Sequence, residues 1–268
     1  MKDIFAFLRG QMELKTKGSR SDDFLIRGLW KTDLLFRPSS NERTFNYTYL
    51  LAQTVGQGCC YCPATVQPDH TIMGTDAREA IRERTPTGIA LLDSIFARIP
   101  RRPQEVQSLC CDSVEKARLR TGIIMREAER LLPDGKGANA RIVNVGVVGE
   151  LLRRLKEKYR NVTATDFDEV IVGLSLHGVS IDHGNQTLEH VREADLAIVT
   201  GMTLATGTLE AIVDTARSAG TKLVVFAETG ANFGEEYCRE LGIDAVVSEP
   251  FPFYIFQGAT RIEVYRKE

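Results

Sequence analysis

Hydrophobic and polar positions alternate regularly along the second half of the chain. Apolar residues recur at the spacing of one helix face at positions 114, 117, 119, 123, 124, 128, 131 and 132, which predicts a leading helix over residues 112–132. Apolar runs of strand length then alternate with amphipathic segments of helix length. The predicted strands are RIVNVGVVG, NVTATDFD, DLAIVT, TKLVVFAE, IDAVVS and ATRIEVY, and the predicted helices are ELLRRLKEKY, TLEHVREA, GTLEAIVDTARSAG and FGEEYCRELG. This alternation is typical of a Rossmann-like, doubly wound parallel sheet.

The first half of the chain has a different pattern. The runs DDFLIRGLW, TDLLFRP and TFNYTYLLAQ are rich in β-branched and aromatic residues and are separated by turn material such as PSSNER, which predicts a small antiparallel sheet. One or two helices follow, the first capped by Thr75 or Asp76 and the second beginning near Pro86. We therefore predict an α/β fold with a smaller α+β N-terminal domain, residues 1–111, and a Rossmann-like ligand-binding domain, residues 112–268.

The composition of the chain limits which kinds of partner the protein is expected to bind and in which cellular compartment it is expected to lie. The 268 residues are 43% hydrophobic and 26% charged with a net charge of −2, so the chain lacks the basic excess of nucleic-acid-binding proteins. Its apolar runs are too short to cross a bilayer, and its first residues do not have the pattern of a signal peptide. We expect a cytoplasmic protein that binds a small molecule and neither nucleic acid nor membrane. Exposed edges of the N-terminal sheet predict a homodimer.

Ligands of doubly wound sheets bind beyond the carboxyl ends of the strands. Gly146 and Gly149 follow the first strand of the Rossmann-like half in a G-x-x-G pattern, which favours either ligand approach to a helix N-terminus or close helix–strand packing. Asp166 and Asp168 follow the second strand. An acid at this place commonly accepts hydrogen bonds from the ribose of NAD or S-adenosylmethionine, and a solvated acidic loop is the alternative.

A run rich in Thr and Gly follows the DLAIVT strand. Its candidate ligand-binding residues are Thr200, Gly201, Thr203, Thr206, Gly207 and Thr208. Hydroxyls and free N–H groups at the start of a helix predict a cradle for a carboxylate or phosphate, although an ordinary N-cap would use the same residues. Glu228, at the end of the next strand, is expected to face the same crevice and to orient a water, act as a base or ligate a metal.

Histidines and cysteines supply two further candidate sites. His177 and His183 lie in the loop after the second strand, where they are predicted to line the crevice as acid–base groups or ligands, or to be ordinary polar loop residues. Cys59, Cys60 and Cys62 form a C-C-x-C pattern. Thiolates at this density can bind zinc or copper(I), and burial as small hydrophobic side chains is the alternative.

Two stretches carry a family resemblance. ADLAIVTGMTLATGTLEAIVD and KLVVFAETGANFGEEYCRELGIDAVVSEP resemble the heavy-metal-chelation family, which combines an enolase-N-terminal-like domain with a Rossmann-like domain. The resemblance is closest over residues 143–268 and implies a ligand crevice between two domains and a role in metal binding. The same half is more faintly similar to the pyridinol C-methyltransferase of iron-guanylylpyridinol cofactor assembly. That likeness implies that Gly146, Gly149 and Asp166 hold S-adenosylmethionine and that Glu228 lies nearby.

The sequence therefore leaves two main functions open. The first is a binding protein that holds a transition metal, or a small molecule carrying one, in the interdomain crevice. The second is an S-adenosylmethionine-dependent methyltransferase acting on a small cofactor or metabolite precursor. An NAD(P)-linked oxidoreductase ranks below both, because the dinucleotide fingerprint is incomplete.

Overall fold

The computed structural model describes residues 3–37 and 44–268, and only the backbone of Phe45. The predicted turn PSSNER lies outside the described residues. The helices are α1 (Ile4–Lys15), α2 (Ala77–Ala80), α3 (Pro86–Phe96), α4 (Ser113–Leu131), α5 (Gly149–Lys158), α6 (Thr187–Glu193), α7 (Met202–Thr206), α8 (Leu209–Ala219) and α9 (Gly234–Arg239). The strands are β1 (Gly28–Phe36), β2 (Phe45–Gln53), β3 (Gln57–Tyr61), β4 (Glu105–Leu109), β5 (Arg141–Val145), β6 (Asn161–Asp166), β7 (Ser175–Leu176), β8 (Val179–His183), β9 (Leu196–Thr200), β10 (Lys222–Ala227), β11 (Ala245–Ser248) and β12 (Thr260–Arg266).

The predicted antiparallel sheet of the N-terminal half is present. Strands β1, β2 and β3 pair in that order, and the two runs that flank Lys31 form one continuous strand. Helix α3 lies directly against this sheet because Gly58 has no side chain. A Cβ at Gly58 would lie 2.2 Å from the carbonyl oxygen of Ala90 and from the amide nitrogen of Ser94. Asp76 and Pro86 begin α2 and α3 as predicted.

The sequence analysis did not predict helix α1, which the structure contains. The side chain of Asp3 caps it by accepting a hydrogen bond from the amide of Ala6. Ile4, Leu8 and Met12 recur at four-residue spacing and are buried, which is the helical periodicity that would have predicted it. The helix packs on α3 and extends the core of the N-terminal half.

The large sheet has the predicted doubly wound core. Among the described residues it contains nine strands in the order β4-β12-β11-β10-β9-β5-β6-β8-β7. The central strands from β11 to β8 are parallel, and β12, β4 and β7 add antiparallel pairs at the two edges. The chain runs outward from β5 to β8 and returns to β9 on the opposite side of β5. The order of the strands therefore reverses between β5 and β9, where such sheets bind ligands.

Two features connect the N-terminal half with the large sheet. Strand β4 precedes the predicted boundary between residues 111 and 112, yet it pairs with β12. One buried cluster also contains side chains from both parts, including Phe5, Leu8, Phe96 and Phe233. The division into residues 1–111 and 112–268 stays a prediction.

Within the described residues, no helix is long and apolar enough to cross a membrane.

Candidate functional site

A cavity of about 520 Å³ lies where the N-terminal sheet meets the carboxyl ends of β5, β6, β9 and β10. The N-terminal sheet contributes aromatic side chains, helix α4 contributes Arg120, and the loop before β12 contributes Tyr254. The strand ends contribute six of the predicted site residues together with Glu228. Those six are Gly146, Gly149, Asp166, Asp168, Thr200 and Gly201. The structure thus brings together groups that the doubly wound pattern places at the same edge of the sheet.

Gly146 forms the turn between β5 and α5. Its φ of 80° lies in the left-handed region that favours glycine, and a Cβ at this position would lie 2.3 Å from the Thr200 hydroxyl oxygen. Its amide donates to the carbonyl of Thr165. Helix α5 begins at Gly149 without a side-chain cap at Val148, so its first N–H groups are available to an acceptor.

Asp166 fixes the glycine turn as well as lining the cavity. One carboxylate oxygen accepts a hydrogen bond from the amide of Val147 at 2.7 Å, and the other accepts from the amide of Asp168 at 3.0 Å. Asp168 is exposed and accepts from the amide of Val170. Each carboxylate oxygen of Asp166 can accept more than one hydrogen bond, so its two backbone contacts leave acceptor capacity for a ligand.

Only part of the Thr- and Gly-rich run reaches the cavity. Thr200 and Gly201 line it, and the hydroxyl of Thr200 is buried without a hydrogen-bond partner among the described residues. The short helix α7 then carries the chain away from the strand end. Thr203 is buried and donates to the carbonyl of Thr200. The remaining members of the predicted cradle lie at the α7–α8 junction, outside this cavity: Thr206, Gly207 and Thr208.

Glu228 is part of a buried ion-pair network. The Arg120 guanidinium donates from Nη1 to Glu228 Oε1 and to Glu249 Oε2, both at 2.9 Å. The Tyr49 hydroxyl donates to the other Glu228 oxygen at 2.6 Å. Glu228 retains 15% exposure of its side chain to the cavity, whereas Glu249 has none. Of the two carboxylates in the network, Glu228 is therefore the one that a ligand can contact.

The surroundings of Arg120 stabilise its charge. Its guanidinium lies 4.1 Å from the ring centroid of Tyr254 and 4.6 Å from that of Phe226. Burial alone would lower the pKa of Arg120, but the neighbouring carboxylates of Glu249 and Glu228 outweigh it and raise the pKa. Burial raises the pKa of Glu249 to about 7, although Arg120 opposes this shift.

Tyrosine rings form the opposite wall. Tyr47 and Tyr49 lie two residues apart on β2, so they share a face of the sheet. Tyr49 is directly opposite Tyr61 in the register of β2 and β3. The rings of Tyr49 and Tyr61 are 6.1 Å apart and nearly perpendicular at 82°. Burial, together with the charges of Asp166 and Asp168, raises the pKa of Tyr61, and all three residues line the cavity.

The structure places the two predicted histidines away from the cavity. His177 is exposed in the turn between β7 and β8, with a φ of 52°. His183 lies at the end of β8, where its ring packs on Phe167 and its Nε2 is 3.4 Å from Glu169. Neither residue lines the cavity, because β8 lies beyond β6 at the edge of the sheet and away from the point where strand order reverses.

Strand geometry separates the side chains of the predicted cysteine cluster. Cys59 and Cys60 are adjacent on β3, so their side chains point to opposite faces of the sheet, and they belong to different buried clusters. Burial raises the pKa of the Cys59, Cys60 and Cys62 thiols, which favours the protonated form that does not bind metal. Within residues 3–37 and 44–268, no three His, Cys, Asp or Glu side chains gather in a way that could hold a metal ion.

Arg120 and the tyrosine wall were missed at the sequence level. Arg120 lies three residues after Ala117 and four before Ile124, so it falls within the apolar stripe of α4. A charged residue on the buried face of a helix is a signal for a specific partner. The alternation of Tyr47 and Tyr49 along β2 was a second signal, since residues two apart share one face of a strand.

Part of the chain matches the model of a known protein family. The model of the family DUF364, described as "Putative heavy-metal chelation", matches residues 128–246. A DUF364 protein of unknown function from Pyrococcus horikoshii aligns over 98% of this chain and 99% of its own, with 14% identity and a TM-score of 0.64. One from Desulfitobacterium hafniense also aligns over 98% of this chain and 99% of its own, with 11% identity and a TM-score of 0.59.

These two structures share the fold of the whole chain. No curated protein matches the sequence. A methyltransferase from the mycinamycin biosynthetic pathway aligns with a TM-score of 0.31, which is too low to support an argument about this chain. Residues 128–246 thus match the model of the DUF364 family, the heavy-metal-chelation family that the sequence resembles.

Proposed function

We propose that the chain binds a small ribose-bearing molecule in the cavity, with S-adenosylmethionine as the first candidate. The observation that carries this proposal is the position of the cavity at the reversal of strand order, between the ends of β5 and β9. Ligands of doubly wound sheets bind at this place. Asp166, at the end of the neighbouring strand β6, supplies the carboxylate that accepts hydrogen bonds from ribose hydroxyls in such sites.

The residues around the cavity fit such a ligand. Asp166 and Asp168 would accept from the ribose, and the backbone from Gly146 to Gly149 would let the ligand approach the start of α5. The hydroxyl of Thr200, which has no hydrogen-bond partner in the described part of the chain, is at the same strand ends. Bound S-adenosylmethionine would supply an electrophilic methyl group. Glu228, held between Tyr49 and Arg120, would accept a proton from a nucleophile in a methyl transfer.

Metal chelation by the chain's own side chains has less support. The family description names heavy metals, yet the cysteines on β3 diverge and no three metal-binding side chains gather among the described residues. A metal would therefore enter this cavity as part of a small molecule. Measuring the metal content of the purified protein before each titration separates the two cases.

We would test the proposal by calorimetric titration with S-adenosylmethionine. Asp166→Asn is the informative variant, because an asparagine oxygen can still accept from the amide of Val147, while the charge and the contact with the amide of Asp168 are lost. Hydrogen bonds to a charged group contribute about 1.5–3 kcal/mol, so we expect affinity to fall by at least about tenfold. Asp134→Asn is the matched control, since Asp134 is exposed and does not line the cavity.

Two results would contradict the proposal. The first is the absence of heat with S-adenosylmethionine for a protein that is folded by circular dichroism. The second is equal loss of affinity in the Asp166 and Asp134 variants, which would show a nonspecific charge effect. Turnover of a methyl acceptor would then decide whether the cavity only binds the cofactor or also uses it.

A further inference from the structure

Strand β1, with nine residues from Gly28 to Phe36, lies at one edge of the N-terminal sheet and pairs with β2. Among the described residues, no backbone hydrogen bond joins its outer side to another element. None of its nine residues is buried, whereas β2 contains a run of buried residues, 48–52. A long strand edge with open N–H and C=O groups is a template for pairing with another chain.

The opposite edge of the same sheet is closed by side chains. On β3, the amide of Cys59 donates to the Asp93 carboxylate at 3.0 Å, and the amide of Tyr61 donates to the Thr229 hydroxyl at 2.8 Å. The N-terminal sheet therefore has one covered edge, at β3, and one edge, at β1, that the described part of the chain leaves open.

The sequence of β1 is complementary to itself in antiparallel orientation. If the whole strand pairs with the same strand of a second copy, its middle residue, Thr32, lies on the two-fold axis. Lys31 then faces Asp33 of the second copy, and Leu29 faces Leu35 of the second copy, with each pair occurring twice. This is the self-complementarity that a two-fold symmetric interface requires.

The present surroundings of these side chains fit such a pairing. Leu35 is 76% exposed, and a second copy would cover it with Leu29. Lys31 Nζ lies 3.7 Å from Asp33 Oδ2 of its own chain, and the Asp33 side chain is 54% exposed. The pairing would therefore set positive and negative charges in alternation along the two strands, and opposite charges directly across an antiparallel pair are stabilising.

We propose that two copies of the chain associate by antiparallel pairing of their β1 strands, which joins the two N-terminal sheets into one continuous sheet. Main-chain hydrogen bonds would hold the pair, and the side chains opposite each other would fix its register. The inference does not depend on the ligand of the cavity. It concerns the same part of the molecule, however, because Phe36, the last residue of β1, lines that cavity.

Charge reversal at β1 tests the proposed register. Sedimentation equilibrium of the full chain measures the dissociation constant of the dimer, and we expect a particle of twice the 29.8 kDa chain mass. Lys31→Glu places two acidic side chains opposite each other, and Asp33→Lys places two lysines opposite each other. Each variant alone should dimerise at least about tenfold more weakly, because the like-charge pair occurs twice in the interface.

Mixing the two single variants is the decisive step. In a mixed pair, each charge at position 31 faces an opposite charge at position 33 of the other copy, so the mixture should dimerise again about as strongly as the unmodified chain. An improved fold of either chain cannot explain this recovery, because each variant keeps two like charges at positions 31 and 33 of its own strand.

Two further variants complete the comparison. Glu193→Lys makes the same change of charge as Asp33→Lys at an exposed position outside β1 and should leave dimerisation unchanged. Leu35→Ser should weaken the dimer without a charge change. The proposal is overturned by a chain that stays monomeric up to millimolar concentration, which would leave β1 to a different occupant, or by a particle larger than a dimer. It is equally overturned if both single charge variants dimerise normally, if the mixture does not recover, or if Glu193→Lys weakens the dimer as much as Asp33→Lys does.

Hydrogen exchange locates the interface independently of any variant. The outward amides of β1 should exchange more slowly as the protein concentration rises, because dimerisation buries them. The amides of Cys59 and Tyr61 should not respond, since they already donate within the chain. Concentration-dependent protection that leaves out β1 would assign the dimer to another surface and contradict the proposal.

Discussion

At the residue scale, Gly146 and Thr200 constrain each other. Gly146 directly follows β5 and Thr200 ends β9, the two strands between which the order of the sheet reverses. The Thr200 side chain occupies the space where a Cβ at residue 146 would lie. Gly146 also requires a φ of 80°. Two separate effects therefore disfavour a side chain at residue 146: the backbone conformation and the contact with Thr200.

A pair of Gly→Ala variants separates the two terms. Gly220 has a φ of 75° and open space around its missing Cβ, so Gly220→Ala should cost only the conformational term, about 1–2 kcal/mol. Gly146→Ala adds a contact at 2.3 Å to Thr200 and should lower the free energy of unfolding further. It should also displace the turn and weaken ligand binding. Denaturant unfolding of both variants gives the comparison.

A third variant tests whether the contact with Thr200 causes the additional loss of stability in Gly146→Ala. Thr200→Ala in the Gly146→Ala background removes the clashing oxygen and methyl group, so it should recover part of the lost stability. Equal stability of the two single glycine variants would show that Thr200 has no part in the effect. The same result would mean that the close approach at Gly146 is tolerated by a small movement of β9.

The sequence predicted the residues at the strand ends because a single rule locates them. In a parallel sheet the strand ends share one edge, so Asp166, Thr200 and Glu228 meet there once the strands are known. It did not predict Arg120 or Tyr61, which come from elements far away along the chain. Their approach depends on how the N-terminal sheet and α4 pack on the Rossmann-like half, and no local pattern contains that information.

At the element scale, helix α4 contacts both the cavity, through Arg120, and strand β12 near the edge of the large sheet, through Glu127. Lys116 is buried and donates to the carbonyls of Phe256 and Gly258, which fixes the loop that carries Tyr254. One turn later Arg120 enters the cavity network. Farther along, Glu127 accepts from Arg266 on β12.

The length and start of α4 were predictable from its apolar spacing and from Asp112, whose side chain caps it. The positions of its buried charged residues were not, because they depend on partners that are distant in the sequence.

Glu127 gives the contact between α4 and β12 a pH dependence. Burial would raise its pKa, but hydrogen bonds from Arg266 and Arg130 outweigh this and lower it. Because the folded-state pKa lies below the ordinary value of 4.5, the carboxylate stabilises the fold above that pH. The stabilisation is lost as the pH falls through the lowered pKa.

Glu127→Gln should therefore reduce stability at neutral pH, by about 2 kcal/mol, and make stability less dependent on pH below about 5. Urea unfolding at a series of pH values measures both effects. Glu13→Gln is the control, since Glu13 is 65% exposed and lies 3.9 Å from Arg9, and it should leave the slope unchanged. A slope in the Glu127 variant equal to that of the unmodified chain would assign the acid sensitivity to other carboxylates.

At the scale of the whole molecule, the N-terminal half and the large sheet are joined by a dense set of contacts. Asp93 on α3 accepts from the amides of Cys59 on β3 and Asn232 before α9, and burial raises its pKa to about 7. Glu210 on α8 accepts from Arg84 and from the amide of Ile4 at the start of α1. The composition and element pattern predicted two domains, but they could not predict that the two share a core.

This shared core leads to a prediction about unfolding. Trp30, the single tryptophan of the chain, is on β1 in the N-terminal sheet, so its fluorescence reports that part. Far-UV circular dichroism is dominated by the helices and strands of the larger half. If the common cluster couples the two parts, both signals should change at the same denaturant concentration. Two separate midpoints would show that the N-terminal sheet unfolds independently.

Truncation of a side chain in the shared core makes the test specific. Phe233 packs edge-to-face on Phe96 of α3 with centroids 5.0 Å apart, and Phe233→Ala should cost about 3–5 kcal/mol. Because the cluster belongs to both parts, the fluorescence and dichroism midpoints should fall together. Ile181→Val, in a cluster confined to the large-sheet side, should also shift both, by a smaller amount. If Phe233→Ala separates the two midpoints while Ile181→Val does not, the parts are coupled mainly through the Phe96–Phe233 contact, and the wider shared core contributes little to cooperativity.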